Sequence, residues 1–231
     1  MPCGLFGKLP LKRDFIAVNT PREFLTQWEQ WLQGGISASK IDLAKDFLPY
    51  YLSAPLWRFW LGADICGLPV AGAFMSSVDG VGRHFPLTAF ECGTTGDQFA
   101  LPGDAANDAW FVKVEDFLLS CLEPEADYAK LLAELELLPL CAKSPAPGPN
   151  SAIVAHRGAL ATRAAAGEGV GDAFTAVNAE RDRTRLLKCS FWWTIGGEAF
   201  EPAAIVADGL PDPNLLSAMI TGNFTRSGDE G

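Results

Sequence analysis

The segment Ser190-Phe191-Trp192-Trp193 constrains the fold more than any other. Successive side chains of a strand point to opposite faces, so consecutive aromatic rings load both faces with apolar bulk. A strand of that kind belongs inside a sheet, and both faces of that sheet need a cover. With 231 residues the chain is long enough to supply one. A domain of this size buries roughly 70–75% of the surface exposed when unfolded, so it needs no metal or disulfide staple.

The rest of the chain supplies the layers. Thr20-Pro21-Arg22-Glu23 places a hydroxyl, a proline and an acid where a helix start wants them. Phe24, Leu25, Trp28, Trp31 and Leu32 then recur at helical spacing, and Gly34-Gly35 is read as the stop. A second helix is predicted from about Ser39 to Phe47. Leu56–Leu61, Val70–Ser76 and Phe85–Cys92 read as strands separated by short turn-forming stretches, which predicts an antiparallel meander. Helices follow at Ala106–Leu122, with Trp110, Val114, Phe117, Leu118 and Leu122 on one face, and at Glu125–Leu138. The final third offers a helix at Asp172–Leu187, strands at Cys189–Ile195 and Glu201–Val206, and a short last helix. These late strands need the earlier sheet to complete a core. The expected fold is therefore α/β, a three-layer sandwich with a mixed sheet and helices on both faces. Residues 1–231 are expected to form one domain. The three prolines within Lys143–Asn150 mark a loop and not a boundary.

Charge and composition exclude several classes. Eighteen basic against 28 acidic residues give a formal charge of −10, which disfavours nucleic acid and anionic lipid as partners. No apolar run approaches the length of a membrane span, and the N-terminus has no apolar core of a secretory signal, so a cytoplasmic protein is expected. The six cysteines contain no C-x-x-C pair and read as reduced, buried hydrophobes. With only two histidines, a zinc site is not expected. Between Glu91 and Glu136 stand 11 acids and two lysines, read either as solvated helix faces or as an acidic docking surface.

Catalytic patterns are missing. Ser77, Asp79 and His84 lie too close along one strand pair to form a triad, and no Gly-x-Ser-x-Gly elbow occurs. Gly167–Gly171 does not fit a dinucleotide loop, and there is no Walker lysine. No catalytic residue, cofactor or metal is assigned. Arg181, Arg183 and Arg185 alternate with acids and read as intrahelical ion pairs.

Several stretches are more particular than a core requires. They are Gly4-Leu-Phe-Gly-Lys-Leu-Pro10 with Asp14-Phe15, the helix ending Trp28-Glu-Gln-Trp31-Leu32, Tyr51-Leu-Ser-Ala-Pro55, Ser77-Val-Asp-Gly-Val-Gly-Arg-His-Phe-Pro-Leu87, and Phe191-Trp-Trp-Thr-Ile-Gly-Gly197. In this order they resemble the type VI secretion-associated TagF family, over about residues 3 to 197. One departure is Arg13, where the family often has glycine before the aspartate. The resemblance implies a compact α/β domain in the cytosol of a Gram-negative bacterium. It implies a posttranslational negative regulator of the secretion machine that binds a forkhead-associated (FHA) scaffold protein of the same system. Some relatives are fused to a protein phosphatase domain. This chain has no room for one, so a phosphatase is expected to be a separate protein.

The family supplies no catalytic set. Lys8, Asp14, Asp79 and Arg83 are the charged residues inside the particular loops. They are read either as architecture, with an aspartate accepting backbone N–H groups and Arg83 pairing with an acid, or as an exposed patch that meets the partner. Trp28, Trp31, Trp192 and Trp193 are assigned to the core. Two other functions stay open: an enzyme acting on a phosphorylated or nucleotide signal, and a constitutive structural adaptor of the machine. Oligomeric state is not readable from the sequence.

Overall fold

The computed structural model describes residues 2–224 except 95, 104, 145–149, 151, 165, 166, 168, 198 and 199. The chain runs through β1 (Gly4–Gly7), β2 (Ile16–Val18), α1 (Arg22–Leu43), a 3-10 turn (Ala44–Asp46), α2 (Phe47–Ser53), β3 (Trp57–Leu61), α3 (Ala63–Cys66), β4 (Val70–Met75) and β5 (Leu87–Cys92). It continues through β6 (Gln98–Phe99), α4 (Ala105–Ser120), α5 (Tyr128–Leu137), β7 (Lys143–Ser144), β8 (Val154–His156), β9 (Ala159–Ala161), α6 (Val170–Lys188), β10 (Cys189–Thr194), β11 (Ala203–Asp208) and α7 (Leu215–Thr221).

Seven strands form one sheet in the order β11-β10-β3-β4-β5-β1-β2. Where a mixed sheet is expected, the pairing is antiparallel throughout. β3, β4 and β5 are the expected meander, and β10 lies between β3 and β11, as its aromatic run demands. Alternation along each strand divides the apolar residues between two cores. On one face Trp57, Phe59, Phe74 and Trp192 meet Trp28 and Trp31 of α1 and Leu216 and Met219 of α7. On the other, Trp60, Ala71, Ala73 and Leu87 meet Trp110, Phe111 and Val114 of α4 and Leu131 of α5. Helices thus cover both faces of the sheet.

Buried indole N–H groups need acceptors, and their partners tie distant segments together. Trp28 donates to Thr88 Oγ1 at 3.0 Å, Trp31 to the Pro211 carbonyl at 2.8 Å and Trp57 to the Met219 carbonyl at 3.0 Å. Trp192 donates to Ser190 Oγ at 2.9 Å and stacks 5.7 Å from Trp28 with ring planes 3° apart. Trp193 points to the opposite core, where it is half-buried against Phe111 at 4.8 Å.

The first helix departs from expectation at both ends. Thr20 Oγ1 donates to the Val18 carbonyl and caps nothing, and Pro21 stands at the N-cap. The helix does not stop at Gly34-Gly35 but continues to Leu43. A Cβ on Gly35 would lie 2.7 Å from Leu216 Cδ2, so this glycine admits α7 and does not end α1. The break comes at Ala44, whose φ of 45° turns the chain, and the predicted helix Ser39–Phe47 is split between α1 and α2. In the predicted loop 143–150, Lys143 and Ser144 form β7 and pair with β6, while 145–149 lie outside the described residues.

Candidate functional site

Two of the particular sequence stretches meet beside the β1 end of the sheet. Gly7 closes β1 with φ +133°, and a Cβ there would stand 2.0 Å from the Pro86 carbonyl oxygen. Glycine therefore allows Lys8 to cross directly over the chain entering β5. Lys8 Nζ then reaches Asp79 Oδ2 at 2.9 Å, with both side chains almost wholly buried.

Asp79 is saturated with donors. Its Oδ1 accepts the backbone N–H groups of Val81 at 3.1 Å and Arg83 at 2.9 Å. Its Oδ2 accepts Lys8 Nζ and Arg83 Nε, the latter at 2.6 Å. Burial pushes this carboxyl up, but the hydrogen bonds from Lys8, Arg83 and Val81 outweigh it and hold the group well below the usual carboxylate range. The Arg83 guanidinium also donates to the Arg13 carbonyl, joining loop 79–84 to loop 10–15. Gly80 N–H adds a bond to the Lys12 carbonyl at 2.8 Å.

Of the four charged candidates, Lys8, Asp79 and Arg83 are brought together and Asp14 is not. Asp14 is exposed, one residue before Phe15. Ser77 Oγ donates to the Lys8 carbonyl at 2.7 Å, Tyr51 Oη donates to the Ser77 carbonyl at 3.0 Å, and the His84 ring lies edge-on to Tyr51. These hydroxyls and the Asp79 carboxylate are engaged in holding loops, and no nucleophile–base pair forms among Ser77, Asp79 and His84.

This geometry has a measurable consequence. Asp79→Asn turns an amide donor toward two cations, and we expect the melting temperature to fall by about 10 °C, the scale of breaking a buried pair in a chain of this length. Because the folded-state carboxyl is depressed, its contribution is fully present above the ordinary value of 3.8 and is lost as pH falls below it. The variant should lack that part of the acid limb. A pH series of thermal melts checks both, and an unchanged melting temperature would contradict the clamp.

The sequence reading missed two buried acids. Arg58, in the apolar strand β3, makes a bidentate pair with Glu115 of α4, Nε–Oε1 and Nη2–Oε2 both at 2.7 Å. Glu91 of β5 is fully buried, and its Oε2 accepts Cys141 N–H at 2.6 Å. Its Oε1 has no partner among the described residues, and burial pushes this carboxyl up. A lone Arg between Trp57 and Phe59 was a readable sign that an acid must face β3. Glu91 had no such sign. Of the acids between Glu91 and Glu136, Glu91 and Glu115 are thus interior and Asp97 pairs with Lys143 at 2.8 Å, while Asp116, Glu123, Glu125, Asp127, Glu134 and Glu136 are exposed.

All six cysteines are buried and unbridged. Burial pushes the thiols of Cys3, Cys66, Cys92 and Cys121 up to about 12, far from nucleophilic thiolates. Among the described residues no group of His, Cys, Asp and Glu is placed to hold a metal, and no helix is long and apolar enough to cross a membrane.

The chain matches a protein family over residues 4–138, more than half its length; the family is described as the TagF N-terminal domain, type VI secretion system-associated. The matched segment contains both loops of the site. No curated protein matches. Among solved structures the chain is similar to the crystal structure of PA0076 from Pseudomonas aeruginosa PAO1. The two share 28% identity over 97% of this chain and 96% of that one, with a TM-score of 0.75.

Proposed function

Because the chain belongs to the TagF N-terminal domain family of type VI secretion-associated proteins, we propose that it is a posttranslational negative regulator of such a system. It acts in the cytoplasm by binding the system's FHA-domain scaffold protein, not by catalysis. The family match carries this reading. The state of the site supports the binding mode: Asp79 has no free lone pair for a substrate, and the thiols are held protonated by burial.

Calorimetric titration of the purified protein with the scaffold protein of its own system tests the partner, and deletion tests the direction of control. Saturable binding and constitutive secretion in the deletion strain are expected. A folded sample that does not bind removes the scaffold as partner. A deletion strain that assembles no machine would make the protein an adaptor instead of a repressor.

A further inference from the structure

We propose that loops 10–15 and 79–84 form the docking surface for an acidic segment of a partner protein, one that carries apolar side chains between its carboxylates. The inference deepens the regulatory reading and rests on it for the partner's identity alone.

The first observation is a charge imbalance. Lys8 Nζ and Arg83 Nε share a single carboxylate oxygen, Asp79 Oδ2. Lys12 and Arg13 stand in the adjoining loop, so the two loops hold three cations, Lys12, Arg13 and Arg83, against Asp14 and Asp79, and the Lys8 ammonium beneath them is a fourth. The whole chain has a formal charge of −10, so this surface is opposite in sign to the rest of the molecule. Among the described residues, Lys8 Nζ finds no acceptor besides Asp79, and its remaining neighbour is the Phe15 ring, 5.2 Å away. Lys8 is buried, so a partner's carboxylates meet the exposed Arg13 and Arg83 guanidinium groups, in the field of the ammonium beneath them.

The second observation is apolar exposure beside these cations. Leu11, Phe15 and Val81 are 36%, 46% and 56% exposed. Phe15 is nevertheless held in place, 6.0 Å from Phe6 and 4.8 Å from Phe85. The Asp79 clamp and the Arg83 bond to the Arg13 carbonyl fix both loops, so docking orders little backbone. The exposed acids of α4 and α5 disfavour the same ligand on those helices, and Lys12 Nζ, 3.8 Å over the Tyr128 ring, stands where the loops meet α5.

The test is a titration of the 15N-labelled protein, followed by amide shifts. The ligands are acetyl-Glu-Leu-Asp-Leu-Glu-amide, its lysine-for-acid counterpart, phosphatidylglycerol vesicles and, separately, the FHA-domain scaffold. The acidic peptide should shift amides of 11–15 and 80–84, and the lysine peptide should not. Arg13→Glu reverses an exposed charge without touching the clamp and should weaken peptide binding about tenfold or more. Val81→Asp, at an exposed tip, should act in the same direction. No shifts, shifts located elsewhere, equal response to the lysine peptide, or response to vesicles alone would each overturn the proposal. Peptide binding at the loops without scaffold binding would sink the scaffold reading and leave this surface standing. Scaffold binding that neither variant weakens, with no peptide response, would do the reverse.

Discussion

Trp192→Ala should lower the unfolding free energy by about 3–5 kcal/mol, the usual cost of emptying a large aromatic site in a core. For a chain of this length that corresponds to a fall in melting temperature of roughly 10–15 °C. The site is unusual in how many elements share it. The ring of Trp192 lies 4.7 Å from Trp31 and 5.7 Å from both Trp28 and Phe59, so it joins α1, β3 and β10. Its N–H bonds Ser190 Oγ, which in turn donates to the Gly209 carbonyl at 2.6 Å beyond the end of β11. Rigid rings on every side leave little room for collapse, which places the cost toward the upper end of that range. Trp193→Ala is the internal comparison: the same residue type, one position on, half-buried on the other face. It should cost markedly less. Equal losses in urea unfolding would mean that the two faces are packed alike, contrary to the division into two cores.

The second large effect is expected at β3. Arg58→Ala removes the bidentate partner of Glu115 and leaves a carboxylate with only 11% side-chain exposure. Breaking a buried pair from one side costs about 3–5 kcal/mol. Glu115→Ala should cost less, because Arg58 keeps Asp108 at 3.7 Å and the face of Phe111 at 5.4 Å. Replacing both, as Arg58→Met with Glu115→Leu, should recover most of the loss, since the ion pair itself contributes little beyond its own desolvation. A double-mutant cycle on denaturation free energies reads this directly. Additive losses would show that the two side chains act independently, and the proposed pairing would fail.

Much of this fold was legible, and the reasons are local. β3, β4 and β5 are long enough to show their apolar content between turn residues, and Trp110, Val114, Phe117 and Leu118 mark the buried face of α4 by spacing alone. β1 and β2 span four and three residues, too few to show a period, so the sheet edge they form stayed hidden. Gly34-Gly35 misled because a glycine pair reads as a stop, whereas here it admits a helix from the far end of the chain. The site was half legible. The oddity of the two loops marked Lys8, Asp79 and Arg83, but which of their neighbours pair is decided by a contact across 71 positions that no spacing rule reaches. Asp14 shared the sequence signal and not the contact.

The two longest-range indole bonds bear on how the chain is made. Trp31 and Trp57 donate to Pro211 and Met219, and α7 supplies Leu216, Met219 and Ile220 to the same core. Segment 4–138, the part the family describes, contains both indoles but neither Pro211 nor α7, nor β10 and β11. During synthesis the tryptophan face of α1 therefore meets β3 and β4 long before β10 and α7 complete its cover, and apolar surface left open in this way is prone to aggregation. Closure of the first helix waits for the last one, so a polypeptide ending at residue 138 can pack Trp28 against Phe59 and Phe74 but leaves Trp31 and Trp57 without their carbonyl acceptors.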